Sequence, residues 1–219
     1  TDRALVGGLM GMNVDDERLR DSLSIAREAG MSVHFQQINI RGAHPNTVRL
    51  TVTGESGRML VVEAASVGGG NIEVHRIDGL GVNFTGKENT LIIRHADVTG
   101  AIAAITGTLA RKNVNIANMQ GYRRQQGGDA MIVMELDGVP DQVTIDTIAQ
   151  LNGVQGAAAQ MGAAAGVGCN AVEGKVVLVL RICVLSLAQR NHVGDVYAPV
   201  RVVIGDHSVD QTLRFAYAV

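Results

Sequence analysis

The stretch Leu91–Met119 reads LIIRHADVTGAIAAITGTLARKNVNIANM, and its pattern decides the fold of the surrounding chain. The apolar run Leu91–Ile93 is typical of a short strand, and the polar turn His95–Gly100 follows it directly. Apolar residues then recur at helical spacing over 102–109, and the segment 114–119 alternates apolar and polar residues as a half-buried strand does. The sequence therefore predicts a strand, a turn, a helix and a second strand in succession.

Three polar residues of this stretch form a candidate binding site. We expect His95, Asp97 and Asn115 to cluster at one end of two neighbouring strands, beside the start of the predicted helix. Free backbone amides at a helix start attract carboxylates, so the site suits a small acidic molecule. The same residues also fit the polar rim of an ordinary loop, because polar side chains are common at strand ends.

The pattern continues into a complete small domain. The later elements are a hairpin across Gly127–Gly128, a strand over Met131–Leu136, a helix over Val143–Leu151 and a weak strand at Val154. Together they predict the ferredoxin-like order βαββαβ. Such an open sheet carries its helices on one face, so its other face or an edge needs a partner, and we expect oligomerisation.

Upstream of this domain the sequence predicts a mixed helix and strand segment. Asp15 and Asp16 are typical of a helix start, and Gly30 is typical of its end. Alternating apolar residues then predict a strand at Val33, a hairpin over 48–62 and a strand over 72–77, and a domain boundary is expected near 79–86.

Downstream, residues 156–168 are rich in Ala, Gly and Gln and predict a flexible linker. A buried helix over Val176–Gln189 and strands over Val200–Ile204 and Leu213–Val219 are expected after it. One hypothesis is that this tail completes the sheet of the first domain, with Leu213–Val219 pairing with strands between 33 and 77. An unrelated tail is the alternative.

Composition excludes several classes of function. The net charge of −2 across 219 residues gives no electrostatic reason to expect nucleic acid or an anionic membrane as a partner. The cysteines are Cys169 and Cys183, too few for a disulfide framework or an iron–sulfur cluster, and they suit a reducing cytoplasm. The sequence shows no complete catalytic apparatus of nucleophile, base and orienting group.

Two further motifs are candidate ligand contacts. His44-Pro45-Asn46-Thr47 is a polar turn, which a purely structural Asx turn explains about as well as a site does. The backbone amides of Gly68, Gly69 and Gly70 suit an anion, although no Gly-Lys-Ser/Thr follows them as in a phosphate loop.

The order of the motifs gives a family resemblance. The motifs are TDRALVGGL at 1–9, DDER at 15–18, HPNT at 44–47, SVGGGNI at 66–72 and NVNIANM at 113–119. Over residues 1–155 they resemble the β subunit of bacterial iron–sulfur-dependent L-serine dehydratase. The resemblance implies an α+β chain, in which an α/β domain of the allosteric-substrate-binding type (1–84) precedes a ferredoxin-like ACT domain (85–157). Residues 158–219 are assigned to a linker and a further helix-strand-strand segment, and residues 161–219 match nothing in the family.

The resemblance also implies a function. In that family a separate catalytic α subunit carries a 4Fe–4S cluster, and the enzyme converts L-serine to pyruvate and ammonia. This chain would be the regulatory half, with no cofactor or metal of its own and no catalytic residue. It would bind L-serine or a similar small carboxylate and form homo-oligomers through the ACT domain. The implied binding residues are Asp2, His44, Asn46, Thr47, Gly68, Gly69, Gly70, His95, Asp97 and Asn115.

Two other interpretations remain open. The chain is also similar to the regulatory half of a phosphoglycerate dehydrogenase, whose ACT domain binds serine through positions that match His95, Asp97 and Asn115, with Asp97 in place of an Asn. A stand-alone amino-acid-binding module is the other alternative. The usual Asp-Arg-Pro-Gly turn of ACT domains is Asp97-Val98-Thr99-Gly100 here, so the turn lacks the rigidity of proline.

Overall fold

The structure is a computed structural model that describes residues 2–12, 15–53, 59–68, 71–160 and 201–206. The described helices are α1 (Asp2–Leu9), α2 (Ser22–Glu28), α3 (Ala101–Arg111) and α4 (Gln142–Ala149). The described strands are β1 (Ser32–Gln37), β2 (Thr47–Thr53), β3 (Met59–Gly68), β4 (Asn71–Ile77), β5 (Leu80–Phe84), β6 (Asn89–Ala96), β7 (Ile116–Arg123), β8 (Asp129–Leu136), β9 (Val154–Gln160) and β10 (Arg201–Asp206). They form a six-stranded sheet in the order β1-β10-β2-β3-β4-β5 and a four-stranded sheet in the order β7-β8-β6-β9.

The segment before β1 folds into short helices that pack closely. Asp16 caps a 3-10 turn over Glu17–Asp21 by accepting a hydrogen bond from the Arg18 amide, and α2 follows it. The predicted helix between Asp16 and Gly30 is therefore present in two pieces. A β-carbon placed on Gly7 of α1 would lie 2.2 Å from the Leu19 side chain, so the close approach requires glycine there.

Strand β5 lies inside the region 79–86, where the sequence predicts a domain boundary, and belongs to the six-stranded sheet. It pairs antiparallel with β4 across the two-residue turn Asp78–Gly79 and is the edge strand of the six-stranded sheet. Both turn residues are left-handed, with φ of 48° and 78°. An Asp-Gly pair between alternating apolar residues is a strong hairpin signal, although the sequence analysis did not predict this hairpin.

The C-terminal strand β10 lies between β1 and β2. Its backbone pairs parallel to β1 and antiparallel to β2, so the predicted strand at 200–204 is present and belongs to the first sheet. The predicted helix over 176–189 and strand over 213–219 lie outside the described residues, as do Cys169 and Cys183. The linker predicted from residue 156 is wrong at its start, because β9 extends to Gln160.

The four-stranded sheet has the predicted order β6-α3-β7-β8-α4-β9 and gives the chain its α+β class. Alternate residues of its strands face the two helices and form an apolar core. The fully buried members of that core are Leu91, Ile93, Ile105, Leu109, Ile132, Met134, Leu136 and Ile148.

The opposite face of this sheet packs against the first sheet. Ile92, Met131 and Val133 form one buried cluster with apolar residues of β3, β4 and β5. Those residues are Leu60, Val62, Ile72, Val74, Ile77, Leu80, Val82 and Phe84. The chain's own first sheet therefore covers this face, so of the two alternatives, face or edge, only an edge is left for a second subunit. The edges β7 and β9 remain as the outer strands.

The covered face predicts a stability difference between two methionines. Met131 is fully buried between the sheets, whereas Met119 on β7 is 45% exposed. Met131→Ala should lower the free energy of unfolding by about 2–5 kcal/mol, and Met119→Ala by less than about 0.5 kcal/mol. Urea unfolding of the two variants measures both values. Equal small losses would contradict the packing of the two sheets.

Candidate functional site

The turn between β6 and α3 is the best-formed candidate site. Gly100 precedes α3 with a φ of 89°, which lets the chain reverse direction, and the Ala104 amide donates to its carbonyl at 2.9 Å. No side chain caps this helix. The Ala101 amide donates to the Val98 carbonyl at 3.3 Å, which leaves the Ile102 and Ala103 amides of the first turn for an anion. Asp97 and His95 lie shortly before this turn along the chain.

His95 is buried at the end of β6, with 4% of its surface exposed. Its Nδ1 lies 2.7 Å from the Ala96 carbonyl oxygen. Because a carbonyl oxygen only accepts hydrogen bonds, Nδ1 of His95 is the donor in this contact. The contact holds the ring against the backbone at the start of the turn.

Asp97 holds the turn against the hairpin between β7 and β8. Its Oδ2 accepts hydrogen bonds from the Gly127 amide at 3.0 Å and from the Arg123 guanidinium at 2.9 Å. The Gly127 amide, and after it Arg123, lowers the pKa of the Asp97 carboxyl below its usual value, so the group is anionic at neutral pH. Neither Arg123 nor Gly127 was among the predicted site residues, although Gly127 belongs to the predicted hairpin turn.

Asn115 lies far from the other two residues, and the prediction that His95, Asp97 and Asn115 cluster is wrong. Strand β8 separates β6 from β7, and both of these strands run antiparallel to it. Asn115 therefore precedes β7 at the opposite end of the sheet, about 20 Å away. There its Nδ2 donates to the Asp137 carboxylate at 2.6 Å.

The second candidate group, which comprises Asp2, His44, Asn46, Thr47 and Gly68–Gly70, is only partly assembled in the structure. The Thr47 hydroxyl and amide both donate to the His44 carbonyl, and the Asn46 amide donates to the His44 imidazole. The Ser66 amide donates to the Asn46 carbonyl, which places this turn two residues from Gly68. The side chains of His44 and Asn46 are exposed, whereas Thr47 is buried.

Other members of the second group are separate or undescribed. Asp2 is exposed in the first turn of α1, a different element. Gly68 ends β3, where its backbone pairs with Asn71. Gly69 and Gly70 lie outside the described residues. The described residues therefore bring His44, Asn46, Thr47 and Gly68 to one end of β2 and β3.

In the described part of the chain, no group of three or more His, Cys, Asp or Glu side chains is placed to hold a metal ion. Within the same residues, no helix is both long enough and apolar enough to span a membrane.

Comparison with known proteins gives the family. Residues 89–153 match the ACT domain. The chain is 30% identical over 151 residues to a protein of Bacillus subtilis (strain 168) named "Probable L-serine dehydratase, beta chain", covering 69% of this chain and 68% of the relative. It is 29% identical over 138 residues to "L-serine dehydratase, beta chain" of Peptoniphilus asaccharolyticus, covering 63% of this chain and 62% of the relative, less than two thirds of its length.

A second group of relatives matches less of its own length. The D-3-phosphoglycerate dehydrogenase of Bacillus subtilis (strain 168) is 27% identical over 159 residues, which cover 67% of this chain but only 30% of that enzyme. The matched region therefore covers 68% of the dehydratase β chain but only 30% of the dehydrogenase. The chain belongs to the family of L-serine dehydratase β chains and carries an ACT domain.

Proposed function

We propose that this chain is the regulatory subunit of an L-serine dehydratase, which converts L-serine to pyruvate and ammonia. The observation that carries the proposal is the uncapped start of α3 beside the Asp97 carboxylate, in a chain of this family. The subunit binds L-serine or a similar small carboxylate there. Coupling between such a site and a partner is typically worth about 1–3 kcal/mol.

The chemistry of the turn suits a free amino acid. The Ile102 and Ala103 amides of α3 take the ligand carboxylate, and the anionic Asp97 takes its ammonium group. His95, at the end of β6, is the side chain that lies nearest in sequence for the hydroxyl of serine. Asn115 joins this site only from another molecule, because it lies at the other end of the sheet in its own chain.

The second place for a small carboxylate is the turn His44–Thr47 together with Gly68–Gly70 and Asp2. The bond from the Ser66 amide to the Asn46 carbonyl supports this grouping, because it joins the turn to the strand that leads to the glycines. The hydroxyl of Thr47 is already donated to the His44 carbonyl, so His44 and Asn46 supply the free side-chain contacts.

The remaining proposals concern organisation and assembly. We assign 1–84 to the domain of the allosteric-substrate-binding type and 85–160 to the ACT domain, because the predicted end at 157 falls inside β9, which reaches Gln160. The later residues belong to a linker and a tail, and the tail contributes β10. Catalysis requires a separate α subunit, which holds the 4Fe–4S cluster as a Lewis acid for the serine hydroxyl.

Homo-oligomers form through an ACT edge strand, with β7 the more exposed candidate. Cysteine usage favours the cytoplasm.

Calorimetric titration with L-serine tests the ligand contact directly. Asp97→Asn should weaken binding about tenfold, because the ammonium loses a charge-assisted hydrogen bond. The matched control is Asp129→Asn, which removes an exposed carboxylate that pairs only with Gln155 among the described contacts. Equal affinity of wild type and Asp97→Asn would contradict the proposed site, and equal weakening by both variants would show a general charge effect.

The pH dependence of serine binding follows from the state of Asp97. Its pKa in the folded chain is lowered, chiefly by the Gly127 amide and then by Arg123, so the carboxylate persists down to and below the ordinary value of about 3.9. Affinity should stay constant from pH 8 to about pH 5 and decline only as the pH falls through the lowered pKa. Weakening already between pH 7 and pH 5 would show that an imidazole controls binding instead.

Co-expression tests the subunit proposal. With a cysteine-rich α-type partner, the chain should copurify as a brown complex that releases ammonia from serine, because the cluster and the active site belong to the partner. The chain alone should release none. Serine binding without complex formation with any α-type partner would favour the alternative, a stand-alone amino-acid-binding module.

A further inference from the structure

Asp78 joins the first sheet to the ACT sheet through a single carboxylate. Its Oδ1 accepts the Val61 amide of β3 at 2.9 Å, and its own amide donates to the Val61 carbonyl at 2.8 Å. Its Oδ2 accepts the Arg94 guanidinium of β6 at 2.5 Å. One oxygen is thus bonded to the first sheet and the other to the ACT sheet.

The hairpin between β7 and β8 makes a second connection to the same residue. Arg124 donates to the Asp78 carbonyl, and its neighbour Arg123 donates to the Asp97 carboxylate at 2.9 Å. Asp97 thus contacts Arg123, and the next residue, Arg124, contacts Asp78. Asp78 in turn contacts Arg94 of β6, the strand that ends just before Asp97. We call Asp78, Arg94, Asp97, Arg123 and Arg124 the arginine junction.

The contacts of the junction differ in exposure. The side chains of Arg94 and Asp78 are 26% and 18% exposed, whereas Arg123 is 58% exposed in its pair with Asp97. Solvent and salt weaken the exposed pair more than the shielded one. The pair at the candidate site is therefore the weaker of the two, and the pair between the sheets is the stronger.

We propose that the arginine junction is the relay through which occupancy of the turn between β6 and α3 reaches the first sheet. The proposal rests on the proposed function, because it takes the ligand to be a small amino acid. The ammonium group of the ligand competes with Arg123 for Asp97. Arg123 is then released, the hairpin shifts, and the contact of Arg124 with Asp78 changes. Asp78 passes the change to β3 through its two bonds with Val61.

Hydrogen exchange of the full-length chain, followed by mass spectrometry, tests the relay without ligand. Arg123→Gln should speed exchange of the Val61 amide in β3 by about two- to fivefold. In an Asp78→Asn background the same substitution should have no further effect, since Asn keeps an acceptor for Val61 and tolerates the left-handed backbone but loses the charge pair with Arg94. Arg123→Gln should likewise have no further effect in an Arg124→Gln background, because that variant removes the contact between the hairpin and Asp78.

The control is Asp129→Asn, which removes a carboxylate at the start of β8 without touching the junction, and it should leave exchange in β3 unchanged. The relay is overturned if Arg123→Gln leaves Val61 exchange at the wild-type rate. It is also overturned if the effect of Arg123→Gln survives in both the Asp78→Asn and the Arg124→Gln backgrounds.

Measurements with added L-serine distinguish failure of the relay from failure of the proposed ligand site. If calorimetry shows binding and serine changes exchange in β3 of the wild type but not of Asp78→Asn, both are supported. If serine binds and changes exchange in β3 equally in the wild type and in Asp78→Asn, the relay is overturned but the proposed ligand site is not. No binding up to millimolar serine overturns the proposed ligand site, while the exchange results for the unliganded variants still decide the relay.

Discussion

Ile92, Met131 and Val133 face away from the helices of the four-stranded sheet and pack against apolar side chains of β3, β4 and β5. This contact is the constraint on which the rest of the structure depends. An open sheet with helices on one face leaves apolar residues on the other, and burying them is worth roughly 25 cal/mol for each Å² removed from water. The chain meets that requirement internally, so the two sheets share one core.

Charged groups are arranged around this core rather than inside it. Asp78 lies at the rim, bonded to β3 on one side and to Arg94 on the other, and Asp97 lies at the neighbouring turn, bonded to the hairpin. Since a buried carboxylate needs partners to offset its loss of water, both acids sit where guanidinium groups and backbone amides reach them. The same arrangement brings the candidate site and the joint between the sheets onto one hairpin.

The ACT domain alone does not distinguish the serine dehydratase relatives from the dehydrogenase relatives, because both groups match a region of similar length in this chain. The difference lies in the share of each relative that is matched, 68% for the dehydratase β chain and 30% for the dehydrogenase. A fold shared by enzymes of different chemistry carries no activity by itself. Asp97, His95 and the start of α3 carry the proposed function.

Local periodicity in the sequence determined the order β6-α3-β7-β8-α4-β9, since the apolar spacing of each element depends only on near neighbours. The turn from His95 to Gly100 and its position beside a helix start were determined in the same way. Strand β5 could also have been predicted from the sequence, because Asp78–Gly79 is a hairpin signal. Only the tertiary structure decided which strands are neighbours, and these pairings join residues distant along the chain. It therefore separated Asn115 from His95, placed β10 between β1 and β2, and brought Asp78 to Arg94.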